Sequence, residues 1–332
     1  MTTTSRITII LITLLIATLA CGRPTTSAAT VYPVSHPFDY YGWVYVFYDE
    51  THNDLARISS YTNTAFATSP EQVKILAPFG FKHIVYMLNE QATLEIMYAN
   101  EGQSMPDDGS AFHEQIIPDY REKFFEAYRQ YLSQTKDLLI SADVYSQIDL
   151  FYIADEPAFH RNVYVDQDFL NQYADEFKAV FTEKQSAIAF AATDDPQVVS
   201  ARPQSCPHFD PPPSLDVVIV DPYFYNFSGE VDVSCERAAI QKWLYQDNPL
   251  SNINWAKQFD KPIIVVGDAE IRGGQSAKDC HITETYALLK DDPAIAGLAW
   301  FIYDKEYDEG GYIRGAANDP HLVEVIENLG RK

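Results

Sequence analysis

The chain has 332 residues, 46% of them hydrophobic and 14% aromatic, enough to bury a large core as one α/β barrel or as two ordinary domains. Its 47 Asp and Glu against 24 Lys and Arg leave a formal charge of -23, a field that repels phosphate backbones and anionic headgroups. Nucleic acid is therefore excluded as a natural partner, and a neutral ligand is favoured over a polyanion.

Arg6 is the only charge before an unbroken small and apolar run over residues 7–20, too short to span a bilayer and of the size of a signal-peptide core. Residues 1–20 are expected to be removed on export. The run ends in Thr18-Leu19-Ala20-Cys21, which resembles a bacterial lipobox. That resemblance implies diacylation of Cys21 as the new amino terminus and, with Gly22 next, placement at the cell surface or outer membrane. Plain cleavage and secretion is the alternative. Residues 21–38 are rich in Thr, Ser, Ala and Pro and suit a flexible tether, leaving residues 39–332 as the folded domain. With Cys21 lipidated, Cys206, Cys235 and Cys280 allow one disulfide in any of three pairings. No CxxC or HxH spacing supports a zinc site, and no cofactor motif is present.

From residue 41 onward strand-like and helix-like stretches alternate. The first strand is predicted over 42–48, a short helix over 54–59, a Thr-rich second strand over 61–67, and a helix over 70–79 capped by Ser69 with Pro70 in its first turn. The third strand, 83–88, ends at Asn89-Glu90. Tyr120, Phe124, Tyr128 and Tyr131 recur at helical spacing and predict a covering helix over 118–140. The fourth strand runs through 149–157, DLFYIADEP, stopped by Pro157 so that Asp155 and Glu156 stand at its carboxyl end. Phe169, Tyr173, Phe177 and Phe181 mark the next helix, and 187–192 is the fifth strand. The sixth, 215–220, leads into Asp221-Pro222-Tyr223. Helical pieces over 236–244 and 254–259 precede the seventh strand, 262–267, which runs into Asp268-Ala269-Glu270. A helix over 283–290, an eighth strand over 296–303 carrying Trp300, and a last helix over 320–329 capped by Asp319 complete the chain.

Eight apolar strands alternating with helices predict a single (β/α)8 barrel; an open doubly wound sheet is the rival, but no GxGxxG follows the first strand. In such a barrel the carboxyl ends of the strands share one face, and there the acids gather: Asp49, Glu50, Asp155, Glu156, Asp194, Asp195, Asp221, Asp268, Glu270 and Asp304. Each alone is an ordinary loop or cap residue.

Glu156 at the fourth strand end, in Asp155-Glu156-Pro157, and Glu270 at the seventh resemble the 4/7 superfamily of (β/α)8 glycoside hydrolases, clan A. The resemblance implies Glu156 as acid/base and Glu270 as nucleophile in retaining hydrolysis of a neutral oligo- or polysaccharide. It further implies that Trp300 is the floor of a sugar subsite, that Tyr223 is a partner of the nucleophile, and that Asn89, Asp155, Asp268 and Tyr303 contact substrate. The superfamily's usual asparagine is here Asp155, which when ionised accepts hydrogen bonds but cannot donate one. Asp268 replaces Glu270 as nucleophile if the latter points away. Two other readings remain open: a non-catalytic carbohydrate-binding lipoprotein, and a hydrolase whose carboxylates hold a divalent cation.

Overall fold

The computed structural model describes residues 36–44, 53–106, 113–157, 163–191, 209–222, 224, 233–247, 252–304, 308–309 and 313–332. The expectations placed on Cys21 and its leader, Asp49, Glu50, Asp194, Asp195, Cys206 and Tyr223 fall outside these residues.

Eight parallel strands close into a barrel: β1 (Tyr40–Trp43), β2 (Thr64–Ala67), β3 (His83–Met87), β4 (Leu150–Ala154), β5 (Gln185–Ala191), β6 (Val217–Asp221), β7 (Ile263–Asp268) and β10 (Ile295–Phe301), the ring closing where β10 pairs with β1. The chain is therefore the (β/α)8 barrel expected from its alternation. Between strands run α1 (Asn53–Ile58), α2 (Pro70–Leu76), α3 (Glu90–Asn100), α4 (His113–Ile116), α5 (Tyr120–Ser141), α6 (Gln167–Val180), α7 (Arg237–Lys242), α8 (Ile253–Ala256) and α9 (Asp279–Leu289), with α10 (Pro320–Gly330) last. Two-residue strands β8 (Ile271–Arg272), β9 (Gln275–Ser276), β11 (Asp308–Glu309) and β12 (Ile313–Arg314) form a small antiparallel sheet that follows the ends of β7 and β10.

The strands alternate between two apolar layers, as their period of two requires. One phase, including Tyr40, Phe66, Val85, Leu150, Ile219, Ile264 and Val266, fills the barrel interior. The other faces the helices and is the larger core. The aromatic stripes of α5 and α6 meet there: Tyr128 stacks on Tyr173 at 4.0 Å, and Phe124 lies 5.0 Å from Phe169. Each such buried ring contributes roughly 2–3 kcal/mol through lost apolar hydration. The Tyr173 hydroxyl donates to the Ile153 carbonyl at 3.0 Å, fastening α6 to β4 behind the Asp155-Glu156 corner.

Capping follows sequence. Ser69 accepts from the Gln72 N–H, and Asp319 accepts from His321 and Leu322. Two helices had no counterpart in the pattern: α3, which follows β3 and is capped by Asn89, and the single turn α4.

Cys235 bonds Cys280 across a separation of 45 residues and ties the approach to α7 to the first turn of α9. Closing a loop of that length removes about 4 kcal/mol of chain entropy from the unfolded state. Cys280→Ser is thus expected to lower the thermal midpoint by several degrees, and reductant should lower the wild type to the same point but leave the variant unmoved. Equal midpoints with and without reductant in the wild type would contradict this.

Candidate active site

At the end of β4 the backbone turns sharply. Glu156 has φ 42°, a left-handed conformation that costs a non-glycine residue about 1 kcal/mol and is held here by its N–H bond to the Ala189 carbonyl at 3.0 Å. Half-buried Asp155 accepts from the Tyr152 hydroxyl, and its own N–H donates to Glu90 Oε1 at 2.7 Å. Asp155 therefore has a donor in the same strand, since Tyr152 lies on the interior face of β4. Glu90, first residue of α3, fixes the corner from β3's side.

Across the ring, with β5 and β6 between, β7 ends at Asp268. Asp268 continues the interior phase of Ile264 and Val266 and is paired in register with Phe301. Its Oδ2 accepts the Phe224 N–H at 2.7 Å. Two residues on, Glu270 is fully buried. Its Oε2 accepts the Ala269 N–H at 3.1 Å, and its Oε1 lies 2.9 Å from the Arg272 guanidinium, itself only 7% exposed. On β6, Asp221 follows Val217 and Ile219 on the interior face, is 6% exposed, and its Oδ1 has no hydrogen-bond partner among the described residues.

Burial pushes up the pKa of all three of these acids. For Asp221 the charges of Glu156, Asp268, Asp155 and Glu270 push in the same direction; for Glu270 the neighbouring Asp268 does, while Arg272 pulls both Asp268 and Glu270 back down. One guanidinium cannot balance three carboxylates in a low-dielectric mouth, so the group retains a proton near neutrality. The raised pKa of Glu270 and its ion pair with Arg272 point in opposite directions. The Arg272 contact is the weaker influence because it reaches one oxygen while both are out of water.

The other expected site residues lie elsewhere. Trp300 does not face the mouth: it is 1% exposed in the strand–helix layer, packed where a Cβ on Gly267 would meet its Cζ3 at 2.7 Å. Strand residues alternate faces, and the interior face of β10 at that level belongs to Phe301, which is half-buried on the barrel core. Tyr303 is likewise in the outer core, edge-on to Trp43 at 5.2 Å. Asn89 is exposed, and its side-chain oxygen caps α3 through the Gln91 N–H at 3.1 Å. Asp155 and Glu156 thus follow β4, and Asp268 and Glu270 end and follow β7, all four acting electrostatically on Asp221, which was also expected on this face; Tyr152, Arg272 and Phe301 were not expected there. Among the described residues, the one trio of potential metal ligands within 4.8 Å of one another is Cys235, Cys280 and His281, and both cysteine sulfurs are spent in the disulfide.

No family model matches the chain, and no curated protein matches it in sequence. Its structural neighbours among solved proteins are glycoside hydrolases. A family 5 mannosidase from Rhizomucor miehei superposes with TM-score 0.56 at 10% identity, covering 90% of this chain and 94% of its own. A β-D-glucuronidase from Dictyoglomus thermophilum gives TM-score 0.55 at 14% identity over 90% of this chain; the chain spans about half of that enzyme's length, 51%. A psychrophilic family 10 endo-β-1,4-xylanase gives TM-score 0.50 at 9% identity, covering 88% and 96% of the two chains. At these identities the likeness is one of fold, and the chain shares the (β/α)8 barrel of those glycoside hydrolases.

Proposed function

We propose that the chain is a retaining glycoside hydrolase acting on a carbohydrate without acidic groups, with Glu156 as acid/base. The observation that supports it best is the presence of carboxylates at the ends of β4 and β7 of one closed ring, with the Asp268 carboxylate held by the Phe224 N–H and the Glu156 backbone by the Ala189 carbonyl. Glu156 gives its proton to the leaving glycosidic oxygen as a β7 carboxylate attacks the anomeric carbon and forms a glycosyl ester. Glu156, now ionised, takes a proton from water, the hydroxide oxygen displaces the ester, and the free β7 carboxylate returns.

For the nucleophile the placement favours Asp268. It is the last residue of its strand and level with Phe301, an apolar face against which a pyranose can stack, whereas both Glu270 oxygens are engaged by Arg272 and the Ala269 N–H. Glu270, the residue implied by the resemblance, is the second reading, favoured by the same Arg272, whose charge stabilises a carboxylate. Residues 18–21 support export and lipid anchoring at Cys21, so the substrate would be met outside the cytoplasm.

The purified protein is expected to release reducing ends from at least one of a set of β-glucans, mannans, xylans and galactans, and Glu156→Gln to abolish the release. Binding without release by the wild type would instead identify a non-catalytic carbohydrate-binding protein, and loss of release on chelation would identify a metal-dependent hydrolase.

A further inference from the structure

We propose that Asp221 makes this mouth selective for a glycan bearing a free amino group, with the substrate's ammonium seated on the Asp221 carboxylate. The proposal rests on the glycan-cleaving reading above and refines its substrate from one without acidic groups to a cationic one. Asp221 closes β6 on the interior side, in register with Ala191 of β5, on one of the two strands that separate β4, which Glu156 follows, from β7, which Asp268 ends. It is 94% buried by its 6% exposure, yet Oδ1 meets no donor among the described residues. The four groups acting on it most strongly are the carboxyls of Glu156, Asp268, Asp155 and Glu270.

A buried carboxyl in that setting lacks two things, a hydrogen-bond donor and a positive charge. A sugar hydroxyl supplies only the first. An alkylammonium supplies both, with three N–H donors on a compact charge. The nearby guanidinium of Arg272 is engaged with Glu270 at 2.9 Å, so the mouth keeps a strong excess of acids after its internal pairing. A cleft lined by one sign of charge concentrates the opposite charge at its floor, and the chain's net charge of -23 extends that field outward. A uronic acid would meet repulsion from the same groups. An N-acetylated sugar would bring bulk but no charge.

The test uses three tetrasaccharides of equal length and β-1,4 linkage: the glucosamine tetramer, its fully N-acetylated form, and cellotetraose. Affinities are measured by calorimetry near neutral pH, where a bound ammonium can hold Asp221 in its ionised form, on Glu156→Gln protein, which prevents turnover, and on Glu156→Gln/Asp221→Asn, with circular dichroism confirming that both fold. The amine tetramer should bind at least about tenfold more tightly than either uncharged one, and Asp221→Asn, of the same shape without the charge, should bring the ratio to within about twofold. Equal binding of the three, a preference that survives Asp221→Asn, or no binding of the amine tetramer overturns the assignment. Reducing-end release by the wild type is read separately. Cleavage of uncharged glycans without amine preference removes only the Asp221 role, whereas Asp221-dependent amine binding without cleavage of any glycan removes the hydrolase reading and leaves the subsite.

Discussion

Glu156→Gln is expected to lower kcat/KM on natural glycans by about a hundredfold to ten-thousandfold, the usual contribution of a positioned general acid. Its effect should depend on the leaving group. A dinitrophenyl glycoside departs without protonation, so glycosylation of the variant would stay fast while hydrolysis of the ester slows, and added azide should restore turnover by replacing the activated water. Asp268→Asn should abolish turnover on both kinds of substrate, because no leaving group compensates for a missing nucleophile. Glu270→Gln keeps an acceptor for Arg272 and the Ala269 N–H but removes a charge from beside Asp268, so it should shift the pH profile more than the maximal rate. If Glu270→Gln abolishes turnover of the aryl glycoside while Asp268→Asn retains it, the two residues exchange roles. Full activity of Glu156→Gln on unactivated glycans would end the proposal.

The fold was legible because the barrel is written in local signals. Each buried parallel strand is an apolar run, each long covering helix a stripe of aromatics, and Ser69 and Asp319 announce their helices by capping. Helix α3 escaped because its buried Leu94, Met97 and Tyr98 are interrupted by polar residues and form no pronounced stripe, and Asn89, which caps it, was expected instead to contact substrate. The small sheet escaped because strands of two residues have no period. At the site, the Asp155-Glu156 corner was readable from its proline, but Trp300 and Phe301 show the limit. Adjacent residues on a strand face opposite layers, and nothing local says which of two aromatics looks inward; the phase is set by β10's register with β7. The Cys235–Cys280 pairing and the burial of Asp221 are likewise tertiary facts, since an aspartate after a strand has the same sequence whether it caps a helix or is enclosed.

That enclosure has a thermodynamic signature. Asp221, Asp268 and Glu270 all have folded-state pKa values above those of an unfolded chain, near 4, so folding favours their protonated forms. The stability they contribute is fully present below about pH 4 and is lost as pH rises through the raised folded values, the reverse of a salt-bridged carboxylate. Asp221→Asn keeps the shape and removes the titration, so the variant and the wild type should melt together in acid and diverge as pH rises toward 8. Relief of an unpaired buried acid is worth about 1–4 kcal/mol, which places the variant at least about 2 °C higher in midpoint at the alkaline end. Taking the difference between the two proteins cancels the self-repulsion of the acidic surface, which both share. A gap of constant size across the range would mean that Asp221 is ionised throughout and paired. A gap that opens with pH, in a variant that also loses amine preference, would show a carboxyl kept at a cost in stability for the ligand it receives, the trade expected when a destabilised group is part of a binding site.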